Sequence, residues 1–394
     1  MSTKILVVDD EPDLEQLIRQ KFRRNIRDSE FVFLFARSGL DAITMLEAQP
    51  DVELVLTDIN MPEMDGLALL AKIDDMNAVA LKSVVVSAYG DMENIRVAMN
   101  RGAFDFVTKP IDLADLETTI YKALRESSLI KDALRTRDEL IAIQRELNVA
   151  TEIQMSMLPR ALPSLSEQHG VEIFASMIPA KEVGGDLYDF FRVNEHHIGF
   201  VIGDVSGKGV PAALLMGISR TLLRSSGRAG LAPDECLAMV NRILAEEILP
   251  HMFVTVFYGV VDTRTGELEY CSGGHNPPYL VAHDGRLQAL DGAGGLPLGV
   301  IGDFAYQRAR VKLNPNDTVL VFTDGVTEAT DVNGQEFGEK RLEELLPGLR
   351  ALPAKAMVGK TVEAVQAFAE GVPQADDITC LALRYLGDVP GMVE

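Results

Sequence analysis

The sequence predicts two folded units joined by a long helix: an α/β domain with a five-stranded, doubly wound parallel sheet, then an α+β sandwich. Three observations carry this reading. Between Lys4 and Arg125 short apolar runs alternate with segments of helical period. From Asp112 to Met157 there is neither proline nor glycine. After Pro163 strand-like runs dominate and the helical segments are grouped rather than alternating.

In the first unit Ile5–Val8, Phe31–Phe35, Leu54–Thr57, Val84–Ser87 and Phe106–Thr108 read as the five strands. Their continuous Val/Leu character marks strands covered on both faces, as parallel sheets are. Ligand chemistry in such a sheet belongs at the carboxyl ends of the strands, where Asp9, Asp10, Asp58, Ser87 and Lys109 all fall. The next tract carries Leu129, Ala133, Leu140, Ile143, Leu147, Ala150 and Met157 at intervals built mostly from threes and fours, the spacing of a helix with a two-helix seam. Thr136 and Gln154 interrupt the seam, so the pattern fits a coiled-coil homodimer and a solvated spacer equally. Pro159 and Pro163 end the helix. Beyond it, Val171–Ser176, Ile198–Ile202, Val254–Val261, Glu267–Ser272, Thr318–Phe322 and Thr379–Tyr385 read as strands, with helices over Ala212–Ser226 and Pro233–Ile248. The expected domains are residues 1–122, a helical linker at 123–158, and 159–394.

Composition narrows the function. The chain has 394 residues, too many for one ordinary core, and its 47% hydrophobic and 24% charged residues are those of a globular protein. A net charge of −22 repels polyanions, which argues against nucleic acid as a partner. The start, Met1-Ser2-Thr3-Lys4, runs directly into a strand with no signal-peptide or membrane-spanning run, so a cytoplasmic, non-membrane protein is expected. Cys236, Cys271 and Cys380 are scattered and odd in number, which fits buried thiols rather than disulfides or zinc.

The chemistry is concentrated in turns. Gly184-Gly185-Asp186, Gly203-Asp204-Val205-Ser206-Gly207, Thr323-Asp324-Gly325 and Asp376-Asp377-Ile378-Thr379 each present a carboxylate beside a tight turn or an apolar run. Together they have the character of a two-ion site for hard divalent cations, and hydrolysis of a phosphate ester suits such a site. Asp377 and Asp189 read as supports rather than ligands, and His275, beside Pro277-Pro278, as a turn-fixing residue. The Gly203–Gly209 stretch is no nucleotide loop, because Gly209 follows Lys208 where Ser or Thr is required. The residue that grips a substrate phosphate is not identifiable from these motifs; Lys181 and Lys208 are the candidates.

Asp9-Asp10, Leu56-Thr57-Asp58-Ile59-Asn60-Met61-Pro62, Ser87-Ala88 and Thr108-Lys109-Pro110 together resemble the receiver domain of two-component response regulators, over about the first 120 residues. The resemblance implies Asp58 as phosphoacceptor, with Asp10, Asp58 and the backbone carbonyl of Asn60 holding Mg²⁺ and Asp9 orienting its waters. Ser87, Phe106 and Lys109 are then the switch residues, and a sensor histidine kinase or phosphotransfer protein the donor. The second half, with Gly273-Gly274-His275-Asn276 added to the acidic motifs, resembles the metal-dependent PPM (PP2C-like) serine/threonine phosphatases, in particular their bacterial SpoIIE and RsbU branch. That resemblance implies Asp186, Asp204, Asp324 and Asp376, with the Val205 carbonyl, as ligands of two Mn²⁺ or Mg²⁺ ions. It also implies a phosphorylated STAS-domain antagonist of an anti-sigma factor as substrate. The same domain order occurs in the RssB-type regulator of sigma S, which implies the alternative of an adaptor that delivers a sigma factor to a ClpXP-type protease.

Overall fold

The computed structural model describes residues 2–76, 78–88, 91–159, 170–247, 249 and 251–387. The chain divides into two compact units, Met1–Ile143 and Gln144–Glu394.

In the first, β1 (Thr3–Val8), β2 (Phe31–Ala36), β3 (Val52–Asp58), β4 (Lys82–Ala88) and β5 (Asp105–Lys109) form a parallel sheet in the order β2-β1-β3-β4-β5. Each expected strand is present and one to three residues longer than its sequence pattern. Helices α1 (Pro12–Lys21), α2 (Arg23–Arg27), α3 (Gly39–Ala48), α4 (Gly66–Asp75) and α5 (Met92–Asn100) connect them. Side chains alternate across the sheet, so two cores form. Ile5, Val7, Leu54, Leu56 and Val84 pack with Leu14 and Ile18 on one face. Leu6, Val8 and Val55 meet Ala42, Leu46 and Leu69 on the other. Ser38 caps α3 by accepting the Asp41 N–H, and Asp65 caps α4 by accepting the Ala68 N–H at 2.7 Å. The order reverses at β1, which opens a crevice at the carboxyl ends of β1 and β3.

The proline- and glycine-free tract is a single helix, α6 (Leu113–Met157), of 45 residues. Its first turns bury Leu116, Ile120 and Ala123, whereas Leu129, Leu140 and Ile143 are exposed. Gln154, read from sequence as a break in an apolar seam, is instead buried. Pro163 lies outside the described residues.

The second unit is a four-layer sandwich. One antiparallel sheet has the order β13-β10-β9-β8-β7, from β7 (Leu187–Arg192), β8 (His197–Val205), β9 (Val254–Asp262), β10 (Glu267–Gly273) and β13 (Ala309–Lys312). The other has the order β12-β11-β14-β15-β6, from β6 (Val171–Ile178), β11 (Tyr279–Val281), β12 (Leu287–Ala289), β14 (Thr318–Phe322) and β15 (Ile378–Tyr385). Phe190, Phe200, Ile202 and Phe257 meet Val319, Val321, Leu381 and Leu383 between the sheets. Helices α7 (Val210–Arg228) and α8 (Pro233–Glu247) cover the first sheet through Leu215, Leu223, Leu237 and Val240. The one-turn helix α9 (Asp324–Thr327) follows β14, and α10 (Gly338–Leu349) and α11 (Ala354–Phe368) cover the second sheet through Leu342, Val358 and Val365. Each such apolar side chain contributes about 1.5–3 kcal/mol on burial. Every expected strand and helix after residue 170 is present, although Ile248, the expected end of α8, lies outside the described residues. Strands β7, β11, β12 and β13 and helices α9, α10 and α11 are additional to the sequence reading. Among the described residues no helix is long and apolar enough to cross a membrane.

Candidate functional site

Each unit carries an acidic pocket. In the first, Asp9 and Asp10 follow β1, Asp58 ends β3 and Lys109 ends β5. Carboxylate oxygens of Asp9, Asp10 and Asp58 lie within 4.8 Å of one another, the reach of ligands around one cation. Lys109 Nζ stands 2.6 Å from Asp58 Oδ2 and 3.3 Å from Asp9 Oδ2. Burial raises the Asp9 carboxyl above its ordinary range, against the lowering effect of the Glu11 N–H and Lys109. Partial burial opposes charge on Lys109, but the Asp58 and Asp9 carboxylates outweigh it and hold the ammonium charged. The exposed Asn60 donates its backbone N–H to Asp58 Oδ1 at 3.2 Å. Ser87, buried at the end of β4, donates to the Asp91 carboxylate at 3.5 Å. Phe106 is partly buried against the cluster formed by Ile59, Leu70, Val85 and Ala98.

In the second unit Asp186 immediately precedes β7, Asp204 is the penultimate residue of β8, Asp324 opens α9, and Asp376 stands just before β15. Asp186 is 1% exposed, and its Oδ2 accepts the hydroxyls of Thr323 at 2.7 Å and Thr379 at 2.5 Å. Burial, and then the charge of Asp204, push its carboxyl well above the ordinary range. Asp204 is pushed up to about 7 by burial and by the charges of Asp324 and Asp376. Asp324 is raised by burial and by Asp376. The charge of Asp204 thus acts on Asp186, and the charges of Asp324 and Asp376 act on Asp204. The four carboxylates are more widely spread than the first pocket's: among the described residues only Asp9, Asp10 and Asp58 form a group with ligand atoms all within 4.8 Å. An all-oxygen donor set fits hard divalent cations, and the raised carboxyls mark negative charge that such cations would relieve.

The surrounding residues hold this arrangement. The Asp377 carboxylate accepts the N–H groups of Ala180 at 2.8 Å, Gly185 at 2.7 Å and Asp186 at 3.3 Å. A Cβ on Gly184 would lie 2.3 Å from Asp377 Oδ2, and one on Gly185 would lie 2.9 Å from the Val205 carbonyl, so only glycine permits both approaches. Asp189, fully buried, pairs with Arg220 at 2.9 Å and Arg224 at 2.6 Å on α7. His275 donates from Nε2 to the Phe322 carbonyl at 3.0 Å and accepts at Nδ1 from the Thr255 hydroxyl at 3.0 Å. Burial lowers it to about 4, which keeps the ring neutral. Sequence reasoning missed Gln154, whose amide donates to the Gly184 carbonyl at 2.6 Å and accepts the Gly184 N–H at 3.0 Å. Its polar position within an apolar seam was the available signal. Thr323 and Thr379, the supports of Asp186, were within the quoted motifs but had no role assigned.

Comparison with known proteins finds two family matches. Residues 5–121 match the response regulator receiver domain, and residues 194–386 match Stage II sporulation protein E (SpoIIE). Asp204, Asp324 and Asp376 fall inside the second match, and Asp186 precedes it. The chain is similar to the phosphoserine phosphatase RsbU of Bacillus subtilis, 31% identical over 61% of this chain and 70% of that protein. It is 30% identical to protein IcfG of Synechocystis, over 60% of this chain but only 41% of that protein. The SiaA-PP2C domain of Pseudomonas aeruginosa, 24% identical, shares the fold with a TM-score of 0.56, covering 63% of this chain and 98% of that one.

Proposed function

Because the chain belongs to the SpoIIE/RsbU family of PP2C-like phosphatases and carries a response-regulator receiver domain, we propose that it is a phosphorylation-controlled, metal-dependent protein serine/threonine phosphatase. The convergence of Asp186, Asp204, Asp324 and Asp376 from four distant stretches is the observation that carries this reading. These carboxylates and the Val205 carbonyl are the proposed holders of two Mn²⁺ or Mg²⁺ ions. Bound there, such ions supply positive charge to phosphoryl oxygens and lower the pKa of water. The protein's own contribution is preorganisation: Thr323 and Thr379 orient Asp186, Asp377 fixes the turn that presents it, and neutral His275 props the strand end before Asp324.

In the receiver unit (residues 1–122) Asp58 is the proposed phosphoacceptor. Asp10, Asp58 and the Asn60 carbonyl hold Mg²⁺ in this reading, with Asp9 orienting its waters. An incoming phosphoryl group would meet Lys109, already 2.6 Å from Asp58, and would draw in the Ser87 hydroxyl, with Phe106 following. The linker (residues 123–158) carries the change of state towards residues 159–394, because the last turn of α6 contains Gln154, which holds both backbone polar groups of Gly184.

The proposed kinase partner is a sensor histidine kinase or phosphotransfer protein, and the proposed substrate a phosphoserine-bearing STAS-domain protein. Mn²⁺-dependent release of phosphate from such a protein, lost in Asp324→Ala, tests the reading. Absence of any release by the wild-type chain, together with sigma-factor binding that survives Asp324→Ala, would transfer the function to an RssB-type adaptor.

A further inference from the structure

We propose that Lys208 binds the phosphoryl group of the substrate and that it competes with a divalent ion for Asp376. This rests on the phosphatase reading and supplies what that reading lacks, a cation of this chain beside the reacting phosphate.

Lys208 lies in the short loop between β8 and α7, close in sequence to Asp204. Its Nζ stands 2.8 Å from Asp376 Oδ2 and donates to the Ala375 carbonyl at 2.6 Å. An ammonium has three donors, and these two contacts leave one to direct at a phosphoryl oxygen. The side chain is 43% exposed, so it reaches solvent as well as the carboxylates. Together with Gly325 and Asp376 it lines a cavity of ≈ 390 Å³, whose other walls include Glu328, Gln374 and Ile378. A phosphorylated side chain approaching Asp376 through this cavity passes the Lys208 ammonium. Arg220 and Arg224, the basic residues of α7 that face β7, are both committed to Asp189.

A phosphate dianion entering a pocket of four carboxylates needs a local positive charge, or repulsion keeps it out. Lysine suits the task because it is a compact charge on a flexible stem that can pass from a carboxylate to a phosphate without a fixed geometry. Its hold on Asp376 has a second consequence. A carboxylate oxygen facing an ammonium at 2.8 Å is not fully available to a cation, so Lys208 and an ion are alternative counter-charges.

The test uses the full chain with Lys208→Met and Lys208→Arg, each shown to keep the wild-type thermal midpoint. Two affinities are measured by calorimetry: that for Mn²⁺ alone, and that of the Mn²⁺-saturated protein for inorganic phosphate. Lys208→Met is expected to bind Mn²⁺ severalfold more tightly and inorganic phosphate about tenfold more weakly, the loss of one charge-assisted hydrogen bond. Turnover of a phosphoserine protein should show the matching rise in KM, and Lys208→Arg should recover most of the phosphate affinity. Unchanged phosphate affinity in Lys208→Met overturns the phosphate role, and unchanged or weaker Mn²⁺ binding overturns the competition. If the wild-type chain binds no Mn²⁺, the phosphatase reading itself fails, and that outcome is distinct from either of these.

Discussion

The two acidic pockets solve the same electrostatic problem in opposite ways. In the receiver unit three carboxylates crowd within 4.8 Å, and Lys109 reaches into them from β5, contacting two at once. In the sandwich the carboxylates are spread, and Lys208, the one lysine in contact with them among the described residues, touches Asp376 and leaves Asp186 and Asp204 raised by burial and by neighbouring carboxylates. The receiver pocket is thus partly neutralised by a lysine of its own chain, which leaves an excess of negative charge smaller than three bare carboxylates would carry. The sandwich pocket stores unrelieved negative charge, as suits a site whose affinity is reserved for divalent ions.

The largest expected effect separates the pockets by chemistry. Asp204→Ala should lower Mn²⁺-dependent phosphate release by about a hundredfold or more, whereas Asp58→Ala should abolish labelling by a small phosphodonor and leave the Mn²⁺ requirement intact. Release that survives Asp204→Ala would erase the distinction. Next is a buried ion pair outside both pockets. Asp189→Ala leaves Arg220 and Arg224 without their carboxylate, so the urea transition of the sandwich should lose about 3–5 kcal/mol; a loss below about 1 kcal/mol would place that pair among ordinary surface bridges.

The smallest effect concerns pH. A folded-state carboxyl raised to about 7 contributes stability that is complete below the ordinary carboxylate pKa and is lost as pH rises through 7. In chelator, the thermal midpoint of the sandwich should therefore fall between pH 6 and pH 8. Mn²⁺ should restore it, with the larger gain at pH 8. The receiver transition, whose Lys109 stays charged, should move less. Equal shifts in both transitions would mean that the two pockets carry similar electrostatic strain.

Much of this was legible in the residues, for identifiable reasons. Parallel strands buried on both faces are continuous apolar runs, so all five receiver strands stood out, and their ends placed Asp9, Asp58 and Lys109 on one edge. The helix Leu113–Met157 followed from the lack of breakers. The three- and four-residue strands β11, β12 and β13 were too short for an alternation to register, and β7, with five of its six residues buried, lies next to a motif read for its chemistry. Gln154 shows the deeper limit. A polar residue in a seam reads as a defect until its partner is known, and that partner, Gly184, is thirty positions away. The spacing of the four sandwich carboxylates was unreadable for the same reason.

The Asp377 clamp carries a consequence for genetics. One carboxylate welds the 180–186 turn to the entrance of β15, and Gly184 has no room for even a methyl group against it. Random substitutions at Gly184 or Asp377 would therefore score as catalytic nulls in a growth screen while leaving every proposed ligand in the sequence untouched. Their true lesion would be a misplaced hinge, recognisable because it depresses heat tolerance and manganese uptake together, whereas loss of a ligand itself should spare the former.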